Sequence, residues 1–120
     1  MLTRTDVIDK VKLFTNELLQ QGIPLDLVIL FGSYSQNNQK EDSDIDVALV
    51  SDVFTGFGFE DRKNFSRINN KKEFIDIETK TYPTKYYYQS DPFIDEINKT
   101  GLVLYSSGSL HGNPVNKNNK

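Results

Sequence analysis

Leu30-Phe31-Gly32-Ser33, ten further residues, then Asp44-Ile45-Asp46-Val47-Ala48-Leu49-Val50 decide how this chain is read. The first part is the end of a buried strand, predicted over Leu25 to Phe31, running into a Gly-Ser turn. The second is a strand that begins with aspartates two residues apart. Side chains alternate along a strand, so Asp44 and Asp46 share one face while Ile45 and Val47 take the other. Two neighbouring carboxylates repel unless a cation sits between them. Mg²⁺ suits them, because it prefers hard oxygen ligands and is usually held by one or two carboxylates plus substrate phosphates. Gly32 lets backbone approach a bulky anion. A short helix predicted over Tyr34 to Gln39 would add N–H groups aimed at a phosphate. Taken together, the stretch reads as a site for a metal-bound nucleoside triphosphate.

Working outward, Thr3 or Thr5 caps a helix, with Asp6 close behind. Val7, Ile8, Val11, Phe14, Leu18 and Leu19 form its apolar stripe, and Gly22 and Pro24 end it. Beyond the second strand, Asp52 to Phe59 reads as a loop. A helix is predicted over Glu60 to Asn69, with Phe65 and Ile68 inward. A third strand is predicted over Phe74 to Glu78, with Ile75 and Ile77 on one face and Asp76 and Glu78 on the other. Lys85 to Gln89 forms a helical turn carrying Tyr86, Tyr87 and Tyr88, which read as a half-buried helix surface rather than a base-stacking platform. Pro92 opens a helix through Lys99, Gly101 stops it, and Leu102 to Tyr105 closes the sheet. The expected fold is α/β (α+β), a small mixed β-sheet flanked by helices. One domain over 1–105 and a polar, disordered tail over 106–120 are expected.

Composition removes several alternatives. A chain of 120 residues fits one domain with one modest core. It has no cysteine, which excludes disulfides and thiolate metal sites. Its one histidine, His111, lies in the polar tail, so histidine clusters and Ser-His-Asp triads are excluded. No apolar run approaches a membrane span, and the first residues lack the apolar core of a signal peptide, so a cytoplasmic protein with no membrane partner is expected. A net charge of −3 without a basic block argues against direct nucleic-acid binding. Asp42, Asp44 and Asp46 begin like a calcium loop, but its sixth and twelfth positions are Val47 and Val53. No Gly-Lys-Ser/Thr follows Gly32, so the turn is not a P-loop. Gly56-Phe57-Gly58 lacks the third glycine of a dinucleotide motif.

Gly32-Ser33, ten residues, Asp44-x-Asp46 resembles the signature of the minimal nucleotidyltransferases (MNT domains) of the DNA polymerase beta-like superfamily. The likeness extends through Ile77-Glu78, Tyr82-Pro83 and Pro92 to Gly101, nearly all of 1–105. It implies that Gly32 and Ser33 contact nucleotide phosphates, and that Asp44 and Asp46 hold divalent metal. The third acid falls on the strand containing Glu78, with Asp76 as the alternative. The implied chemistry is Mg²⁺-dependent two-metal transfer of AMP from ATP. No acceptor-binding second domain is expected within 120 residues, so a partner is expected to bring the acceptor. Family precedent is a helical HEPN toxin in a hetero-oligomer, with the MNT protein as antitoxin, in some cases adenylylating the toxin's tyrosine. The competing expectation is a module that neutralises the partner by contact alone. One departure matters. Relatives often carry Arg or Lys and Gly shortly after the Gly-Ser, where this chain has Tyr34-Ser35-Gln36-Asn37-Asn38; Lys40 is a substitute cation.

Overall fold

The computed structural model describes residues 2–40 and 43–108. Among the described residues nine elements follow in order: α1 (Arg4–Gln20), β1 (Leu27–Phe31), β2 (Ile45–Val50), α2 (Gly58–Arg62), α3 (Ser66–Asn69), β3 (Ile77–Tyr82), α4 (Thr84–Gln89), α5 (Pro92–Thr100) and β4 (Leu102–Ser106). The four strands form one mixed sheet in the order β3-β2-β1-β4. β1 is antiparallel to β2 and β4, and β2 is parallel to β3. This is the expected small mixed sheet with flanking helices.

α1 starts where Thr3 and Asp6 close a reciprocal capping box, each side chain accepting the other's backbone N–H at 3.1 and 3.0 Å. It ends in a Schellman arrangement, with Ile23 N–H donating to Leu18 O and Gly22 N–H to Leu19 O. That turn needs the positive φ of Gly22, +98°. Strand alternation then divides the core in two. Val28, Leu30, Ile45, Val47, Leu49 and Ile77 pack on the face covered by α1 and α3. Leu27, Ile29, Ala48 and Val50 pack on the face covered by Tyr87 of α4 and Ile94 and Ile97 of α5. A sheet buried on both faces requires near-continuous apolar strands, which β1 and β2 are.

Three expected elements differ. The helix over Glu60 to Asn69 is two short helices separated by a turn. Phe65 leaves helical geometry (φ −139°, ψ 20°) so that its ring fits between Phe14 and Phe54. The third strand begins at Ile77, not Phe74, and runs to Tyr82. Asn69 Nδ2 donates to Phe74 O at 3.0 Å and holds the preceding backbone in a turn. Phe74 is buried against Phe14 from that turn, and Ile75, expected to share a face with Ile77, is 66% exposed while Ile77 is buried. The stretch after Ser33 forms consecutive turns rather than a helix; Asn37 takes φ +57°, which interrupts helical continuation. β4 takes in Ser106, one residue past the expected domain boundary. The remainder of the expected tail from residue 109, His111 included, lies outside the described residues. Among the described residues no helix is long and apolar enough to cross a membrane.

Candidate functional site

Register places the predicted acids side by side. Phe31 at the end of β1 pairs with Asp46 of β2, and Asp46 pairs with Glu78 of β3. Alternation turns Asp46 and Glu78 away from the α1 face, because Ile45, Val47 and Ile77 occupy it. Gly32, directly after Phe31, closes the row. Its φ is +79°, and a Cβ built on it would collide with Asp46 Oδ2 and lie 3.2 Å from Asp46 Cγ. Only glycine fits this contact between turn and carboxylate. Gly32, Asp46 and Glu78 thus run across three adjacent strands, about 4.8 Å from strand to strand. Asp44 lies just before β2 and is exposed.

The row is electrostatically unfinished. Burial raises the pKa of Asp46, and the charges of Asp44 and Glu78 raise it further. The ion pairs among the described residues lie elsewhere: Lys10–Asp76, Lys63–Glu60 and Lys71–Glu17. Among the described residues no three His, Cys, Asp or Glu groups converge closely enough to cage a metal unaided. Such a donor set fits an ion that takes one or two carboxylates and completes its shell with substrate oxygens, as Mg²⁺ does. Hard oxygen donors, mutual repulsion at Asp46 and a glycine-lined approach all agree with that group.

Asp76 and Glu78 separate clearly. Asp76 lies in the turn before β3, and Lys10 Nζ of α1 donates to both its carboxylate oxygens, at 3.2 and 3.1 Å. Glu78 faces the row. It also lines a polar cavity of about 320 Å³ with Arg62, Asn69, Asn70 and Thr79. Ser33 is half-buried in the turn, whose shape is fixed from two sides: Ser35 Oγ donates to Gly32 O at 2.9 Å, and Asn38 N–H to Ser33 O at 3.0 Å. A cation does reach the turn after Ser33 from far away in the sequence, but it engages the turn's carbonyls. Arg4 of α1 donates through Nε to Tyr34 O (3.1 Å) and through Nη2 to Ser35 O (2.8 Å), bracing the turn by its carbonyls. Nothing local in the sequence signals this, because thirty residues intervene. Lys40, expected as the substitute, is exposed.

Sequence reading also missed Asp61. It is 1% exposed and accepts from Thr55 N–H, Thr55 Oγ1, Gly56 N–H and Thr81 Oγ1 at 2.8, 2.9, 2.9 and 2.6 Å. These bonds tie the phenylalanine-rich loop to β3. The tyrosines of α4 divide. Tyr87 is buried and its hydroxyl donates to Asn98 Oδ1, whereas Tyr86 stacks on Tyr82 and borders an open cavity.

This fold is that of nucleotidyltransferases of known structure, and 12 chains match it. A Sulfolobus solfataricus protein assigned as a nucleotidyltransferase is similar over 87% of this chain and 84% of its own, with TM-score 0.64 and 15% identity. A toxin–antitoxin structure with AMP-PNP gives TM-score 0.57 and 23% identity, over 81% of this chain and 74% of that one. A variant of the toxin–antitoxin MntA–HpeT gives 0.57 and 19%, over 82% and 74%. No curated protein matches the sequence. The family model for "Polymerase beta, Nucleotidyltransferase" matches residues 15–109, and the chain belongs to that family.

Proposed function

We propose that this protein is an Mg²⁺-dependent nucleotidyltransferase that moves AMP from ATP to a tyrosine of a HEPN-domain toxin, acting as the antitoxin of the pair. The observation that carries this is the row Gly32–Asp46–Glu78, with Asp46 held among like charges and a glycine pressed against it. Membership of the nucleotidyltransferase family and likeness to toxin–antitoxin structures, one with AMP-PNP, support it. One domain over 1–105 carries these residues, and a cytoplasmic setting suits them.

Gly32 lets the turn backbone meet the triphosphate, and Ser33 contacts its phosphates. Asp44, Asp46 and Glu78 would hold two Mg²⁺ ions. The bound metal supplies offset of phosphate charge and a lowered pKa for a coordinated hydroxyl. The tyrosine oxygen bonds to the α-phosphorus, the bond to the β-phosphate oxygen breaks, and pyrophosphate leaves. Glu78 accepts the phenolic proton and passes it to water. The chain contributes chiefly position and charge compensation.

A second reading, neutralisation by contact alone, draws on the turn itself: Arg4 is spent on its carbonyls, and Tyr34 to Asn38 offer no cation to the phosphates. Intact mass of the co-purified partner after incubation with ATP and Mg²⁺ decides between them. A gain of AMP units, absent when Asp44→Asn and Asp46→Asn are combined, is expected. A stable complex with no mass gain overturns transfer in favour of contact.

A further inference from the structure

One cavity takes no part in the chemistry above. It measures about 420 Å³ and is walled by Tyr82, Tyr86 and Phe93, with Phe57 at its rim and Lys80 and Asp91 as its polar edges. Tyr82 and Tyr86 are stacked 8° from parallel with centroids 6.1 Å apart, and both line the cavity. Tyr86 donates its hydroxyl to Asp91 Oδ2 at 2.6 Å, and this fixes the ring. Lys80 Nζ lies 5.1 Å from the centre of Phe93.

The cavity adjoins the acid row at two points. Lys80 is two residues along β3 from Glu78, on the same face and about 6.6 Å further on. Phe93 meets Phe31 edge-on at 5.8 Å, and Phe31 is the strand partner of Asp46. In-line displacement puts nucleophile and leaving group on opposite sides of phosphorus. With the phosphates at the Gly32–Ser33 end, as proposed above, in-line geometry brings the nucleophile from the β3 side, where Lys80 and Tyr82 line this cavity.

We propose that the cavity is the acceptor subsite and takes the phenol ring of a tyrosine presented by a protein partner. The inference rests on the nucleotidyltransferase reading. A planar ring suits a cavity lined by Tyr82, Tyr86 and Phe93, and the volume is within the range of ligand pockets. Lys80, at the cavity's polar edge beside the Phe93 ring, offers a hydrogen-bond donor that the oxygen of a phenol can accept from and an apolar ring cannot. Phe57 and Phe93, 72% and 45% exposed, gain cover when the partner docks. Phosphorus gains the phenolic oxygen and loses pyrophosphate, as above, so no further reactant is needed.

Amide NMR on the full chain tests this with three probes: N-acetyl-L-tyrosinamide, adenosine, and a non-hydrolysable ATP analogue with Mg²⁺. The tyrosine probe is expected to shift Lys80, Tyr86 and Phe93, and the analogue to shift Gly32, Ser33 and Asp46. Phe93→Ala, at an exposed position, weakens the tyrosine probe about three- to tenfold, the worth of one aromatic contact, and leaves the analogue's shifts unchanged. Lys80→Met weakens the tyrosine probe and leaves the analogue's shifts at Gly32 and Ser33 unchanged. Adenosine shifting the cavity amides and displacing the tyrosine probe would assign the cavity to the base and overturn the proposal. A silent cavity beside normal shifts at Gly32 and Ser33 overturns the subsite alone. No shift at Gly32 and Ser33 overturns the transfer reading, and the acceptor role with it.

Discussion

Asp46 and Asp61 are both aspartates drawn into the body of the protein, and the fold treats them oppositely. Asp61 collects four donors from Thr55, Gly56 and Thr81. Burial would raise its pKa, but these bonds more than offset that and hold it below the ordinary 3.8. Asp46 is half-buried facing Asp44 and Glu78, and its pKa is raised by burial and by their charges. A carboxylate that the chain satisfies itself is part of the scaffold. One that the chain surrounds with like charge is a candidate for a site that takes a cation. The contrast marks Asp61 as scaffold and Asp46 as the candidate site group without reference to any relative.

The sharpest way to break it is Asp46→Asn. If Asp46 serves the chemistry, transfer falls about a thousandfold or more, the scale of losing one preorganised charge-stabilising group. The fold should survive, with a small gain in stability of the metal-free protein, no more than about 1 kcal/mol. The sign follows from linkage. Asp46 binds its proton more readily folded than unfolded, so its ionisation costs stability above the folded pKa. That cost shrinks as pH falls and is gone below the unfolded value of 3.8. Melting curves of wild type and variant should therefore converge on acidification. A variant less stable than wild type at neutral pH would show that Asp46 is a scaffold group.

Asp61→Ala is the converse. It strands a buried Thr81 hydroxyl and two backbone N–H groups, at a cost of about 3 kcal/mol in urea unfolding. Here the folded pKa is the lower one, so the stabilisation is present above 3.8 and is lost as pH falls through the folded value. Transfer per folded molecule should stay near wild type. A large loss there, with the fold intact, would move Asp61 into the site.

Gly32→Ala tests the link between turn and acid. Its positive φ and the clash with Asp46 Oδ2 together cost about 1–2 kcal/mol. Displacing Asp46 should cost transfer about a hundredfold, since misplacement of about 1 Å has effects of that order. Equal losses of stability and activity would reduce Gly32 to a turn residue.

What could be read in advance follows the range of the interactions. Strand alternation and the Gly-Ser turn are local, so the row Gly32, Asp46 and the face of Glu78 were legible in the sequence. Arg4 and Asp61 were not: the carbonyls that Arg4 holds begin thirty residues away, Asp61 gathers its donors from a nearby loop (Thr55, Gly56) and from Thr81 twenty residues on, and neither carries a motif. The start of β3 was misread for a related reason. Phe74, Ile75 and Ile77 alternate plausibly with Asp76 and Glu78, but Asn69 captures the Phe74 carbonyl and turns the chain before the strand can begin. Phe74 and Ile77 still reach the same core, three residues apart through a turn instead of by strand alternation.

That misreading sets the smallest effect. In a strand from Phe74, Asp76 and Glu78 would be equivalent acids facing the row. In the observed turn, Asp76 faces α1 and pairs with Lys10 at 3.1 Å, with side chains 44% and 21% exposed. An exposed pair of this kind is worth about 0.2–1 kcal/mol and weakens with salt. Asp76→Asn should therefore lower stability by no more than that, less at high salt, and leave transfer within about twofold. Glu78→Gln should leave stability almost unchanged and reduce transfer by orders of magnitude. The two variants differ only in which of two acids, two residues apart, is neutralised. Equal loss of transfer in both would place Asp76 at the reacting centre and make the Lys10 pair a state that the substrate must break.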